Sequence, residues 1–228
     1  MNNICVIPAR GGSKRIPRKN IRTFHGKPMI AWSIDAAKSA GCFDRIVVST
    51  DDPDIASFTT KTGTEVVERP AKLADDHATT VAVVQHFIDT EVTGDLAEIA
   101  ICCLYATAPF VRAEDIRTGA AMMASAAYAF TVSPYAFPIQ RAVRNTDENR
   151  VTMFDPTKYA MRSQDLEEAW HDAGQFYWGT PQGWANTPLF ESAAPIPLPR
   201  WRVVDIDTEE DWIRAELMAE VLQSRKGL

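Results

Sequence analysis

The stretch ICVIPARGGSKRIPRKN, Ile4 to Asn20, runs a short apolar segment straight into a loop with five basic side chains in ten residues, in a chain of formal net charge −6. Four consecutive apolar residues, Ile4 to Ile7, have the pattern of a parallel strand buried on both faces. The residues after Ile7 cannot form a regular helix, because Pro8, Gly11, Gly12 and Pro17 interrupt it. Two adjacent glycines let backbone N–H groups come close to an anion, and Arg10, Lys14, Arg15, Arg18 and Lys19 supply counter-charge. The carboxyl end of a strand is also where open parallel sheets bind their ligands. A bare run of charge is ordinarily a solvated surface. The glycines and the position at a strand end favour phosphate, and this many cations suits a triphosphate. The common phosphate motifs are absent: there is no G-x-G-x-x-G, and in HGKPM Lys27 precedes Pro28 where a P-loop carries Ser or Thr.

Outward from this loop the strand-then-helix order repeats. RIVVS (Arg45 to Ser49), TEVVE (Thr64 to Glu68), IAICCL (Ile99 to Leu104) and YAFTV (Tyr128 to Val132) are short apolar runs of the same kind. Helical patterns separate them: Met29 to Ala40 closing at Gly41, Pro53 to Thr62 closing at Gly63 with Asp52 as cap, Thr80 to Val92, and Ala113 to Ser125. The alternation predicts an α/β fold with a mostly parallel sheet covered on both faces. With 228 residues, 46% hydrophobic and 24% charged, the chain is expected to fold as a single domain over 1–228. No apolar run approaches the roughly 18 residues of a membrane span, and MNNICVIPAR lacks a basic-then-apolar leader, so a soluble, cytoplasmic protein is expected. Cys5, Cys42, Cys102 and Cys103 form no C-x-x-C pair, which suits reduced core thiols better than disulfides or zinc. An acidic chain with its cations gathered in one loop also argues against nucleic acid, whose binders spread basic residues over a face.

After Val132 the texture changes. Residues 134–201 hold more than half of the fourteen prolines and many aromatics, with a hairpin turn at NTDENR (Asn145 to Arg150), and are expected to form an insertion or lid. The last element is a helix, with Ile213, Leu217 and Val221 every four residues, Thr208 as cap, and Glu209, Glu210 and Asp211 complementing its dipole. Just before it lies VVDIDTEEDW (Val203 to Trp212). If Val203 to Asp207 is extended, Asp205 and Asp207 share a face about 7 Å apart, near enough to share a hydrated cation. With no His or Cys nearby, Mg2+ is the natural ion; the competing role for Asp207 is to precede or cap the helix.

Together IPARGGSKRIPRKN, RIVVSTDD, ERPAKLADD, LYATAPF and DIDTEEDW resemble the ordered motifs of the CMP-sugar synthetases that activate nonulosonic acids, over essentially the whole chain. Within that family, PIQRAV (Pro138 to Val143) and RSQDLEEAWHDAGQFYWG (Arg162 to Gly179) are similar to members acting on pseudaminic acid. The resemblance implies a Rossmann-like nucleotide-diphospho-sugar transferase fold in which 134–201 contributes to the sugar site and to a homodimer. It implies attack of the sugar's anomeric hydroxyl on the α-phosphate of CTP, giving the CMP-sugar and pyrophosphate, with Mg2+ as cofactor. By motif match Arg10, Lys14 and Lys19 meet the triphosphate, and Ala9, Gly11, Gly12, Ser13, Asn20, Arg69 and Thr80 surround the nucleotide. Asp205 and Asp207 hold the metal.

The sialic acid members carry Gln where Tyr105 stands and Asn where Ala173 stands, both in sugar-facing segments, which points to pseudaminic acid. The sugar candidates are Tyr105, Gln140, Arg141, Arg162, Gln164, His171, Asp172 and Gln175, with Arg162 suited to a two-pronged grip on a carboxylate. Blander roles compete. His171 has no metal-ligand spacing to His25, His77 or His86. Phe176, Tyr177 and Trp178 suit a core or dimer strand before a stacking platform. Asp75 and Asp76 suit a solvated turn or cap, and Ser13 lacks the G-x-S-x-G of a nucleophile. Other functions are the same chemistry on legionaminic or sialic acid, a nucleotide-binding module without turnover, and a dinucleotide oxidoreductase. The module should have lost a charged motif residue and none is lost; the oxidoreductase lacks its glycine pattern.

Overall fold

A computed structural model describes residues 1–75, 78–186 and 193–225. Its centre is a seven-stranded sheet, five strands of which come from the expected apolar runs, β1 (Asn2–Pro8), β2 (Arg45–Thr50), β3 (Glu65–Glu68), β4 (Ile99–Leu104) and β5 (Tyr128–Pro134), joined by β6 (Trp170–Gly179) and β7 (Ala194–Pro197). The spatial order is β7-β5-β6-β4-β1-β2-β3. Neighbours are parallel except around β6, which is antiparallel to both β4 and β5.

Both faces are covered, and the period-two alternation of each strand divides its side chains between two cores. Cys5 and Ile7 of β1 and Cys102 and Leu104 of β4 pack under α1 (Met29–Ala40), α2 (Pro53–Lys61) and α4 (Ala113–Met122). Ile4, Val6, Ile101 and Cys103 face α3 (Thr80–Glu91) and α5 (Pro181–Asn186). The helix ends obey the expected chemistry. Gly41 closes α1 at φ 62, a left-handed conformation that glycine adopts without strain. Asp52 caps α2 by accepting from Asp54 N–H and Ile55 N–H. The cap of α3 is Thr79, while Asp75 accepts from Ala78 N–H in a turn before it; Asp76 and His77 lie outside the described residues.

β1 sits between β2 and β4. The chain leaves β1 for β2 and β3 on one side, then returns to β4 on the other, so the carboxyl end of β1 is the topological switch point of the sheet. The basic loop emerges there. A third cluster fixes its far limb: Ile16, Phe24 and Met29 pack with Val204, Ile206 and Trp212 beneath α6 (Glu209–Ser224). Burying a side chain of that size contributes roughly 1.5–3 kcal/mol. Trp212 also meets Phe24 edge to face at 5.6 Å and carries Arg22 over its ring at 4.2 Å. The loop and the 203–207 segment are thereby brought together.

Two expectations are corrected. Within 134–201 the ten-residue β6 runs through the middle of the sheet and β7 forms its edge, so the appended part is narrower. It centres on a small ribbon, Val143–Asn145 with Val151–Met153, whose turn spans the expected NTDENR. In α6 the apolar stripe points outward: Ile213, Leu217 and Val221 are 57%, 58% and 52% exposed, while Trp212, Ala215 and Ala219 are buried. Thr208 and Asp211 form a reciprocal capping box at its start. Cys5, Cys102 and Cys103 are buried and all four thiols are free.

Candidate active site

The loop from Ala9 to Asn20 is tied down along its length. Ala9 N–H donates to the Ser49 carbonyl at 2.9 Å, Gly11 N–H to Asp51 Oδ1 at 3.1 Å, and Asn20 Nδ2 to the Arg10 carbonyl at 2.9 Å. A β-carbon on Gly11 would overlap the Asp52 carboxylate, so this position requires glycine for close approach. Ser13 N–H turns back to the Gly11 carbonyl at 3.0 Å, and Gly12 has open space where a side chain would be.

The five cations of the loop are not equivalent. Arg10 donates to the Asp75 carbonyl at 2.8 Å. Arg15 lies 2.8 Å from Asp207 Oδ2, and Lys19 lies 3.4 Å from Asp207 Oδ1 while donating to the Ile206 carbonyl. Arg18 turns the other way, to Asp52 at 2.5 Å and Asp54 at 2.6 Å. Arg10, Lys14, Arg15 and Lys19, with Ser13, Asn20 and Asp207, line a cavity of about 350 Å³.

Two further cavities follow, of which the smaller shares walls with it and the larger shares a wall with the smaller. One, about 200 Å³, shares Arg10, Lys19 and Asn20 and extends to Arg69, Thr80 and Tyr105. Arg69 is 5% exposed and is fixed by donating to the Ser49 carbonyl at 2.7 Å. Burial draws its guanidinium below the usual value, and Asp51 opposes that shift. Thr80 Oγ1 lies 3.2 Å from the Tyr105 hydroxyl.

Tyr105 is also a wall of the other cavity, about 560 Å³, whose polar lining includes Ser133, His171, Asp172, Tyr177, Arg200, Asp205 and Arg214. Asp172 is held by the Tyr177 hydroxyl and by Gly174 N–H at 2.8 Å. His171 Nδ1 donates to the Asp172 carbonyl at 2.8 Å. Burial raises the Tyr105 and Tyr177 phenols, which keeps both as neutral hydrogen-bonding groups.

Asp205 and Asp207 line different cavities, the first the larger space beside His171 and Asp172, the second that of the basic loop. Their charges interact: Asp205 is held above the usual carboxylate range, chiefly by loss of water and next by Asp207. Among the described residues no cluster of three or more His, Cys, Asp or Glu is arranged to hold a metal. Carboxylate oxygens are of the hard type that a divalent cation takes, and the remaining ligands of such an ion would be phosphate oxygens and water.

Of the residues expected at the sugar, Tyr105, His171 and Asp172 come together. The others do not reach that cavity within the chain. Gln140 donates to the Glu167 carbonyl at 2.9 Å, Arg141 to the Met161 carbonyl, and Arg162 pairs with Asp165 at 3.1 Å on the surface, with Gln164 also exposed. Gln175 is 3% exposed and donates to the Arg202 carbonyl at 2.7 Å, a structural bond that steadies the segment leading to Asp205. Sequence reasoning missed Arg200 and Arg214, because no local pattern distinguishes them from other surface arginines. Tyr177 was legible in principle: alternation along β6 puts Phe176 and Trp178 in one core and Tyr177 on the opposite face. A larger hollow, about 960 Å³, lies along the outer face of α6 against Ile213, Leu217 and Val221 and lacks the cations of the loop.

Several known proteins are similar to this chain. A family model described as cytidylyltransferase matches residues 4–183. The chain is 41% identical over 226 residues to a pseudaminic acid cytidylyltransferase of Campylobacter jejuni, covering 97% of each. It is 30% identical to the CMP-N,N'-diacetyllegionaminic acid synthase of Legionella pneumophila, covering 98% of each. Among solved structures, a CMP:2-keto-3-deoxy-manno-octonic acid synthetase complexed with CTP superposes with a TM-score of 0.70 at 18% identity, over 99% of this chain and 100% of that one, which is a likeness of fold.

Proposed function

Because this chain belongs to the cytidylyltransferase family, we propose that it transfers CMP from CTP to pseudaminic acid, with release of pyrophosphate. The observation that carries the reading is a run of three cavities in which the smallest is the middle one, sharing Arg10, Lys19 and Asn20 with the basic-loop cavity on one side and Tyr105 with the largest of the three on the other. A nucleotide with its base end near Arg69 and Thr80 would pass its phosphates over the loop and present the α-phosphate toward the larger cavity. The higher identity to the pseudaminic acid relative than to the legionaminic one supports the choice of sugar.

The anomeric hydroxyl attacks the α-phosphorus, the bond from that phosphorus to the bridging oxygen breaks with its electron pair going to the departing pyrophosphate, and the hydroxyl proton passes to solvent. Arg10, Lys14 and Lys19 balance charge on the phosphates, and the backbone of Ala9 to Ser13 lets them approach. Asn20, Arg69 and Thr80 orient the nucleoside. Asp205 and Asp207 are the residues to hold Mg2+, which when bound would draw charge from the phosphates and align them. In the larger cavity Asp172 offers an acceptor to a hydroxyl or N–H of the sugar. The sugar carboxylate falls to Arg200 or Arg214 in place of Arg162, since these are the arginines that line this space.

The same reading makes the enzyme cytoplasmic, where CTP is available, and homodimeric through the appended region. Phe137 and Val151 there are 82% and 73% exposed, more apolar surface than a short ribbon ordinarily leaves to water. The test is pyrophosphate release from CTP and Mg2+ with pseudaminic, legionaminic and N-acetylneuraminic acids in parallel. Release with pseudaminic acid alone is the expected result. Release only with another acid would reassign the sugar and keep the chemistry, and silence with all three would overturn the reading.

A further inference from the structure

One cation of the basic loop stands apart. Arg18 closes the loop with a backbone φ of 59, the left-handed region that arginine enters at a steric cost. Its guanidinium forms a fork on Asp52, Nη1 to Oδ2 at 2.5 Å and Nη2 to Oδ1 at 3.3 Å, and reaches Asp54 at 2.6 Å. It does not line the cavity that Arg10, Lys14, Arg15 and Lys19 share.

Asp52 is only 9% exposed and is already engaged, accepting Asp54 N–H at 2.9 Å and Ile55 N–H at 3.0 Å as the cap of α2. The adjacent Asp51 takes the Gly11 N–H, and Gly11 packs so closely on Asp52 that no side chain fits. The turn after β2 thus grips the loop at both limbs, Gly11 at its opening and Arg18 at its close. Between these two anchors lie Ser13, Lys14 and Arg15 of the cavity wall, with Lys19 next to the second.

We propose that Arg18 is a positioning residue for the triphosphate loop, a strut braced on Asp52 that sets the loop in its binding shape before nucleotide arrives. The proposal rests on the CTP reading of this site. It concerns preorganisation: without the strut the loop must be ordered at the moment of binding, and CTP affinity falls although no phosphate contact is removed. A buried carboxylate with two N–H donors from the helix start and a forked arginine is a rigid base for this.

The experiment is a double-mutant cycle read by calorimetric CTP binding, with thermal midpoints as a control on folding. Asp52→Asn keeps an oxygen to cap α2 but turns an amide N–H against Arg18. Arg18→Ala removes the strut, and Arg18→Gly removes it while also relieving the left-handed backbone. The strut requires all three single variants to weaken CTP by about tenfold, with Arg18→Ala/Asp52→Asn no weaker than either single change. If Arg18 were itself a phosphate ligand, Asp52→Asn would free it and leave CTP binding intact or tighter, which overturns the proposal. Additive losses in the double variant overturn it as well. Should Arg18→Ala fail to fold, Arg18→Gly takes its place in the cycle, and Asp52→Ser, which can still cap α2 but offers Arg18 no carboxylate, does the same for Asp52→Asn. A wild-type chain that binds no CTP would instead overturn the nucleotide reading, and the strut with it.

Discussion

At the scale of single residues, the site is a set of charges whose partners define their roles. Asp207 touches two loop cations and faces the cavity they line, so in the proposed reaction it is the carboxylate set nearest the phosphates. Asp207→Asn is expected to cut turnover by about a hundredfold or more while the thermal midpoint stays near wild type; an unchanged rate would remove Asp207 from the metal site. Asp205 allows a prediction with a sign. Its carboxyl is held above the usual range by loss of water and by Asp207, so its protonated form is the one the fold favours. That contribution is present below the unfolded value near about 4 and is lost as pH rises through the raised folded value. The metal-free Asp205→Asn variant should therefore melt close to wild type near pH 4 and above it at about pH 7. Equal midpoints at both pH values would show that Asp205 carries no such penalty. The identities of the loop residues, Asp205 and Asp207 were legible as motifs. Arg18 as a strut and Arg200 and Arg214 as cavity walls were not, because a side chain's partner is not written beside it in the chain.

At the scale of elements, periodicity was a sound guide where both faces of a strand are buried, and a poor one for α6. The every-fourth-residue stripe of Ile213, Leu217 and Val221 is real, but the helix docks through Trp212, Ala215 and Ala219. The small residues allow close approach, and one indole supplies the packing that three aliphatic side chains do not. The same logic of fit governs α4. Gly119 meets the Trp178 indole and Ile196 so closely that a β-carbon would overlap them. Gly119→Ala should destabilise the fold by about 1–3 kcal/mol in urea denaturation, with CTP affinity unchanged in the folded fraction. A neutral result would mean that the helix shifts freely against the sheet.

At the scale of the molecule, the appended region keeps Phe137, Val151 and Phe154 exposed on and beside its small ribbon. With a homodimer formed through this region, Val151→Asp/Phe154→Asp should sediment as a monomer at concentrations where wild type is a dimer; an unaltered mass would move the interface elsewhere. The alternation of strands and helices up to Val132, the basic loop at the end of β1 and the family to which the chain belongs were legible in the order of amino acids. Those properties arise from side-chain periodicity, from Gly and Pro restricting the backbone, and from motifs a few residues long. Which cations serve the cavity and which brace its wall emerged only on folding, as did the place of 170–179 as a central strand and not part of a lid. Arg18 meets a carboxylate 34 positions away and Lys19 one 188 positions away. Electrostatic pairing at a few ångströms depends on how the sheet brings such distant segments together, and local sequence carries no record of those distances.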